Sequence, residues 1–573
     1  MASNAIDRNI FAQPITRILR VLKMERHEIS SVYFYAILQG LIQLSLPLGI
    51  QSIISFVLGG TISASLIFLI VLVVGGVFIT GLLQVNQLKL IEKVQQKIFV
   101  RYSFVIADRL PRINLQKLDG GYLPEMVNRF FDTISLQKGI SKLLLDIPAA
   151  TIQILFGLIL LSFYHPVFIL FGLSLITIIF LILKTTSAKG MESSLRESDY
   201  KYKVAGWLEE IARVIKSFKF SRTQELSLAK TDKFVTGYLD QRTLHFKILL
   251  KQYWTLIVFK VIITASMLIV GSVLLVNQQL NIGQFIAAEI VILMVITSVE
   301  KLIINLDNVY DVLTAVEKLG KISDVPLEEN GIVKLAENTK AITLEIKNLD
   351  FRYSDDQLHP VLNNVSFSIS PGEKICIMGR AGSGKSTLLK LLTGAYKRFD
   401  GIININNMPI NNYDLSTLRQ NIGILFSQHD IFEGTLIENI SMGNEKISPE
   451  HIQELAGQLG LKKFLSSLPE GFGTRLDPVG KKLSHKIIQK ILLLRALVNH
   501  PGLILLEEPF EGLEEEPKAS IIDYLLNNCK DQTMLISSND AAFAAACDKV
   551  LFLEDGKVKA FDNWNAVKSK IRN

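Results

Sequence analysis

The chain has 573 residues, of which 49% are hydrophobic and 20% charged, with a mean hydropathy of +0.33 and a net charge of +7. That length points to more than one domain, and that hydropathy excludes an ordinary soluble enzyme. The basic excess is not a nucleic-acid footprint: Lys and Arg of the first half crowd the segments between apolar runs, as in cytoplasmic loops of a membrane protein, so no nucleic-acid partner is expected. The three cysteines, Cys376, Cys529 and Cys547, lack zinc-like spacing and suggest no disulfide framework, so reduced thiols are expected.

Residues 1–30 carry Arg8, Arg17, Arg20, Lys23 and Arg26 without a compact apolar core. They read as a cytoplasmic N-terminal elbow, not a cleavable signal peptide. Six stretches then approach the roughly 20 residues needed to cross a bilayer as helices: 31–58, 64–85, 143–164, 167–184, 253–276 and 282–304. Three pairs are joined by the short links 59–63, 165–166 and 277–281, none with Lys or Arg, whereas the long connections 86–142 and 185–252 are rich in both. This bias predicts that both long loops and both termini are cytoplasmic. Residues 88–110 and 206–220 repeat at helical spacing, so the membrane helices are expected to continue into the cytoplasm. Surface-bound peripheral helices are the alternative. Asp146 and Lys260 fall near cytoplasmic ends, while Glu289, about two turns in from the outer side, is the better candidate for a cavity.

The whole unit, 31–320, reads as an all-α polytopic membrane domain with long cytoplasmic extensions. A Pro/Gly/acidic linker over 321–340 separates it from an α/β P-loop domain at 341–573. There, 341–353 alternates like a strand, and the apolar strand "KICIMG" runs into a glycine-rich turn and an amphipathic helix. Gly379, Gly384, Lys385 and Ser386 satisfy G-x-x-x-x-G-K-[ST]. In such a turn the backbone amides of Gly379, Arg380, Ala381, Gly382, Ser383 and Gly384 cradle phosphates, with Ser386 on Mg²⁺ and Thr387 following. ATP and Mg²⁺ are the expected ligands.

Through these motifs the chain resembles an ABC transporter half-molecule of the exporter type, over essentially its full length. The resemblance implies that Tyr353 stacks on adenine. It also implies that Gln428, in "ILFSQHDIFEGTLIENI" (424–440), touches Mg²⁺ and senses the membrane domain. "LILLEEPFEGLE" (503–514) resembles a Walker B strand with its D-loop, which puts Glu507 on Mg²⁺ and Glu508 at the attacking water. The wording from Gly379 through Ile440 is most similar to bacterial type I secretion and peptide or toxin exporters.

Several positions depart from that family's pattern. The signature segment, expected to contact the partner's nucleotide through Ser484, has His485, Lys486 and Ile487 where two glycines and a glutamine belong. Walker B ends in Glu507-Glu508, not aspartate-glutamate; Glu514 replaces the D-loop aspartate; and Ser538 is read at the switch-histidine position. Phosphoryl transfer depends on positioning, and one lost donor of this kind costs about 10²–10³ in rate, so slow hydrolysis is expected. The resemblance thus implies an ATP-dependent exporter in the bacterial inner membrane. It would work as a dimer with a second half-transporter, alongside a periplasmic adaptor and an outer-membrane channel. The alternative is a non-hydrolysing subunit that binds ATP to gate or support a partner.

Overall fold

A computed structural model describes residues 3–60, 64–118, 123–221, 225–354, 359–426 and 430–571. The chain divides into two units. One comprises Met1–Pro111 and Gly121–Val325, the other Arg112–Gly120 and Pro326–Asn573. The division after Val325 falls inside the expected linker. That the short segment Arg112–Gly120 belongs to the second unit was not foreseen.

The first unit is helical: α1 (Ser3–Met24), α2 (Arg26–Gln43), α3 (Ser45–Leu58), α4 (Ala64–Arg109), α5 (Leu123–Asn128), α6 (Asp132–Tyr164), α7 (Val167–Arg213), α8 (Ile215–Phe220), α9 (Glu225–Val276), α10 (Ile282–Ile304) and α11 (Leu306–Ser323). Among the described residues, six helical stretches are long and apolar enough to span a membrane. With 46 residues in α4 and 52 in α9, these helices run to about 69 and 78 Å at 1.5 Å per residue. That is more than twice the hydrocarbon thickness, so the extensions read from residues 88–110 are continuous with the span before them.

Two expected helices are interrupted. The stretch 31–58 breaks at Leu44, because Pro47 has no N–H to give the carbonyl of Gln43. The stretch 206–220 breaks at Val214, whose φ of −108° and ψ of 34° are non-helical. Close packing joins helices where glycine leaves room: a Cβ on Gly157 would stand 2.6 Å from Val295 Cγ2, and one on Gly190 2.6 Å from Tyr310 Cζ. The ionisable residues near the spans differ in their surroundings. Lys260 pairs with Glu300 at 3.2 Å, Asp146 accepts from Asn305 Nδ2 at 3.1 Å, and Glu289 is half-buried on α10.

The second unit contains β1 (Leu344–Phe351), β2 (Leu362–Ile369), β3 (Lys374–Met378), α12 (Lys385–Leu392), β4 (Asp400–Ile405), β5 (Met408–Pro409), α13 (Leu415–Gln420), β6 (Ile422–Leu425), β7 (Gly434–Thr435), α14 (Leu436–Ser441), α15 (Pro449–Gln458), α16 (Lys462–Ser466), β8 (Arg475–Leu476), α17 (His485–Leu497), β9 (Leu503–Glu507), α18 (Glu515–Asp523), β10 (Thr533–Ser537), α19 (Ala541–Ala546), β11 (Lys549–Glu554), β12 (Lys557–Asp562) and α20 (Trp564–Ile571). A six-stranded sheet runs β12-β11-β3-β10-β9-β6, parallel except for the edge strand β12, and a four-stranded antiparallel sheet runs β2-β1-β4-β5. Along β3, Ile375 and Ile377 enter one apolar core while Cys376 and Met378 enter the other. The strand is therefore buried on both faces, as parallel sheets require, which is why "KICIM" is apolar without alternation.

Candidate functional site

The site grows from the carboxyl end of β3, the usual ligand edge of an open parallel sheet. Met378 leads into the turn Gly379–Gly384, and α12 starts at Lys385. Gly384 has φ 97°, a left-handed conformation, and a Cβ there would stand 2.6 Å from Leu362 Cδ2. Only glycine fills this position without strain. The turn thus presents backbone N–H groups at the start of a helix, where the dipole favours an anion. Arg380, Ala381 and Gly382 are exposed at its tip, and Ser383 is buried beneath them.

Three charged groups meet at this turn. Lys385 Nζ donates to Gly379 O at 2.7 Å and to Arg380 O at 3.0 Å. Burial pulls the Lys385 ammonium below its ordinary pKa, while Glu508 and Glu507 oppose the shift. Ser386 Oγ donates to the Glu507 carboxylate. That contact follows from topology: β9 ends at Glu507, one strand beyond β10, which itself neighbours β3. Glu508 follows at φ 43°, with its N–H on Ser537 O at 2.9 Å. Burial raises the Glu508 carboxyl, and Lys385 opposes it.

A hydroxyl beside a carboxylate is the oxygen-donor set that Mg²⁺ favours, so Ser386 and Glu507 fit that ion. Thr387 is buried and shares a 2.9 Å hydrogen bond with Tyr353 Oη. The Tyr353 ring packs edge-on against Phe351 and Tyr396, with centroids 5.0 and 5.4 Å apart. It borders a cavity of about 830 Å³ also lined by Arg352, Arg398, Gln116 and Lys117. Gln116 grips the main chain of Arg398 from both sides, donating to its carbonyl and accepting from its N–H, each at 3.2 Å.

Ser484 caps α17, its side chain accepting from Ile487 N–H at 3.4 Å. His485 and Lys486 are exposed beside it, and Lys486 pairs with Glu514 at 2.7 Å. One turn on, buried Gln489 donates to Glu508 O at 2.9 Å, tying the signature helix to the end of Walker B. Gln428 lies outside the described residues.

Ser538 is buried just past the end of β10. Its N–H still pairs with Ile377 O at 3.1 Å, its hydroxyl accepts from Asp540 N–H at 3.2 Å, and it is 3% exposed. The exposed side chain at this place is Asn539, whose Oδ1 accepts from Gly379 N–H at 3.3 Å. Ser538, the position read as the switch residue, is thus the buried neighbour of the exposed Asn539. The helix start at Asp540, which caps α19 through Phe543 N–H, was the available signal that Asn539 is the last residue before the cap.

Comparison with known proteins agrees with this geometry. Residues 31–299 match the model of the ABC transporter transmembrane region, and residues 362–511 match that of the ABC transporter. The alpha-hemolysin translocation ATP-binding protein HlyB of Escherichia coli O157:H7 is 28% identical over 61% of this chain and 49% of its own length. A probable ABC transporter ATP-binding/permease protein of Haemophilus influenzae is 35% identical over 38% of each chain. The alignments therefore span half or less of these two relatives. A bacterial Atm1-family ABC exporter with ATP bound superposes with a TM-score of 0.82 at 18% identity, covering 95% of this chain and 96% of that one, a likeness of fold. Two family models in succession on one chain, six apolar helices and a phosphate cradle at the sheet's ligand edge identify the protein as a member of the ABC transporters, in the half-size exporter arrangement.

Proposed function

We propose that the chain binds Mg·ATP at the Gly379–Gly384 turn and, paired with a second half-transporter, uses it to move a peptide or protein out of the cytoplasm, with slow hydrolysis. The observation that carries this reading is the convergence of Lys385, Ser386, Glu507 and Glu508 on a glycine-rich turn at the start of α12. The bound nucleotide supplies the phosphoanhydride bond. Lys385 exchanges its two carbonyl partners for phosphate oxygens, Ser386 and Glu507 hold the cation, and Glu508 orients and deprotonates the attacking water. Tyr353 flanks the base and Ser484 serves the partner's nucleotide. Its neighbours His485 and Lys486 keep backbone from approaching as closely as glycine would, which supports slow turnover.

The cargo class draws support from the relative named for alpha-hemolysin translocation; in that reading a periplasmic adaptor and an outer-membrane channel receive the cargo. The transmembrane-region match and the bacterial relatives support an inner-membrane location, and the distribution of Lys and Arg supports cytoplasmic termini.

The test uses the full chain purified in lipid nanodiscs, comparing ATP binding and turnover with Lys385→Ala and Glu508→Gln. Turnover above that of both variants is expected. Absence of nucleotide binding at saturating Mg·ATP refutes the proposal. Binding with turnover no greater than that of Lys385→Ala identifies a non-hydrolysing subunit instead.

A further inference from the structure

Half of the apolar stretch in Ile282–Ser323 is buried by the rest of the chain, whereas the other five candidate spans among the described residues reach at most 28%. Within it, α10 packs Ala288, Val291, Ile292, Val295 and Val299 into an apolar core and keeps one side open. Glu289, Leu293, Thr297 and Glu300 lie on that side, within about 80° of one another at 3.6 residues per turn, and each is half-buried or exposed. At 1.5 Å per residue Glu289 lies about 10 Å inward from Ile282, and Glu300 about 16 Å beyond it.

The polar atoms of this stripe are acceptors. Thr297 Oγ1 donates its hydrogen to Leu293 O at 2.8 Å and keeps its lone pairs. Glu300 accepts from Lys260 Nζ at 3.2 Å and from Tyr253 Oη at 3.4 Å. Glu289 has no hydrogen-bond or ion-pair partner among the described residues. An acidic side chain turned to lipid at membrane depth costs about 3 kcal/mol, so Glu289 calls for a cation. The chain supplies none at that depth. The Lys and Arg residues within 31–58, 64–85, 143–164, 167–184, 253–276 and 282–304 are Lys184, Lys260 and Lys301, all toward the ends remote from the short links. His165, in a short link, already receives the N–H of Val167 on Nδ1 at 3.3 Å. A second copy of the chain has the same sequence and the same lack.

We propose that the open stripe of α10 is a cargo-recognition face and that Glu289 binds a cationic group of the cargo, the ammonium or guanidinium of a basic peptide segment. This rests on the reading that the chain exports a peptide or protein. Glu300, latched by Lys260, is a second acceptor three turns along, which a cargo cation reaches by displacing Lys260. An extended peptide covers the distance between the two carboxylates in about five residues, so basic side chains at that spacing engage both. A hydrogen bond to a charged group is worth about tenfold in an equilibrium constant, and that sets the size of the effect.

The experiment uses the full chain in nanodiscs of phosphatidylcholine, an uncharged surface, and three fluorescein-labelled peptides that alternate Ala with Lys, Ser or Glu. Fluorescence anisotropy reads their binding, with empty nanodiscs as the blank. The Lys peptide is expected to bind best. Glu289→Gln should weaken it about tenfold, Glu289→Asp should recover part of that loss, and Glu289→Lys should favour the Glu peptide over the Lys peptide. ATP affinity within about twofold of the unmodified chain shows that each variant is folded. The Leu293→Cys variant should react with a water-soluble maleimide, more slowly once the Lys peptide is bound. Unaltered binding of the Lys peptide in both Glu289→Gln and Glu289→Lys overturns the proposal and leaves peptide export standing. A Leu293→Cys variant that resists the maleimide without peptide overturns it as well, because lipid or a second copy then covers the stripe. Should none of the three peptides bind a chain that still binds Mg·ATP, the peptide-cargo reading itself falls, a result distinct from both.

Discussion

Replacing Gly384 by alanine measures how much of the cradle depends on a missing Cβ. Two costs follow from the geometry. At φ 97° an L-residue carries a left-handed penalty of about 1–2 kcal/mol. The new methyl would also stand 2.6 Å from Leu362 Cδ2 and 3.1 Å from Val361 O. Leu362 is fully buried in the apolar core, so overpacking adds about 1–3 kcal/mol. Together these come to about 2–5 kcal/mol. The loop relieves that strain by leaving the phosphate-binding conformation, so ATP affinity is expected to fall by roughly 30-fold to several thousandfold, at 1.4 kcal/mol per tenfold.

Gly382 supplies an internal control. It also has positive φ, 82°, yet a Cβ there meets nothing within 4 Å, so Gly382→Ala incurs only the backbone term and should weaken ATP about 5- to 30-fold. Calorimetric titration of the full chain with Mg·ATP reads both variants, and Leu362→Ala in the Gly384→Ala background should recover part of the difference. Should Gly384→Ala bind ATP as tightly as the unmodified chain, or Gly382→Ala prove the weaker binder, the account of the turn is refuted.

In a pH–rate profile of ATP turnover, Glu511→Gln should move the acid limb to lower pH. The Glu511 charge helps hold Glu508 protonated, and a base with a lowered pKa stays active further into acid; an unmoved limb would show that Glu508 is not the titrating base. Gly190→Ala should lower the melting temperature, since its Cβ would press within 2.6–2.9 Å of the buried Tyr310 ring and hydroxyl, an overpacking cost of about 1–3 kcal/mol. The drop should shrink in a Tyr310→Leu background, and an equal drop there would place its cause elsewhere. Cys376, Cys529 and Cys547 are buried and free, with burial pushing the Cys529 thiol up to about 11 and that of Cys547 up to about 12. At pH 8 a maleimide should therefore label the native chain much more slowly than the denatured one, and equal rates would contradict that burial.

The sequence by itself determined what depends on local pattern. Twenty-residue apolar runs reveal spans because a bilayer admits only backbones that satisfy their own hydrogen bonds. The glycine-rich turn was legible because its spacing is a property of one contiguous stretch, Gly379 to Ser386. Local pattern also located Ser484 at a helix start, where a serine hydroxyl serves as cap. Tertiary structure decided whatever depends on which strand lies beside which. Glu507 reaches Ser386 only because β10 and β9 lie in that order beside β3. The partnership of Arg112–Gly120 with the second unit, through Gln116 and the Arg398 main chain, joins residues nearly three hundred positions apart. The step from Ser538 to Asn539 turned on where β10 stops pairing with its neighbour. The sheet's hydrogen bonds set that point, which the linear sequence marks through the helix cap at Asp540 and through no residue of β10 itself.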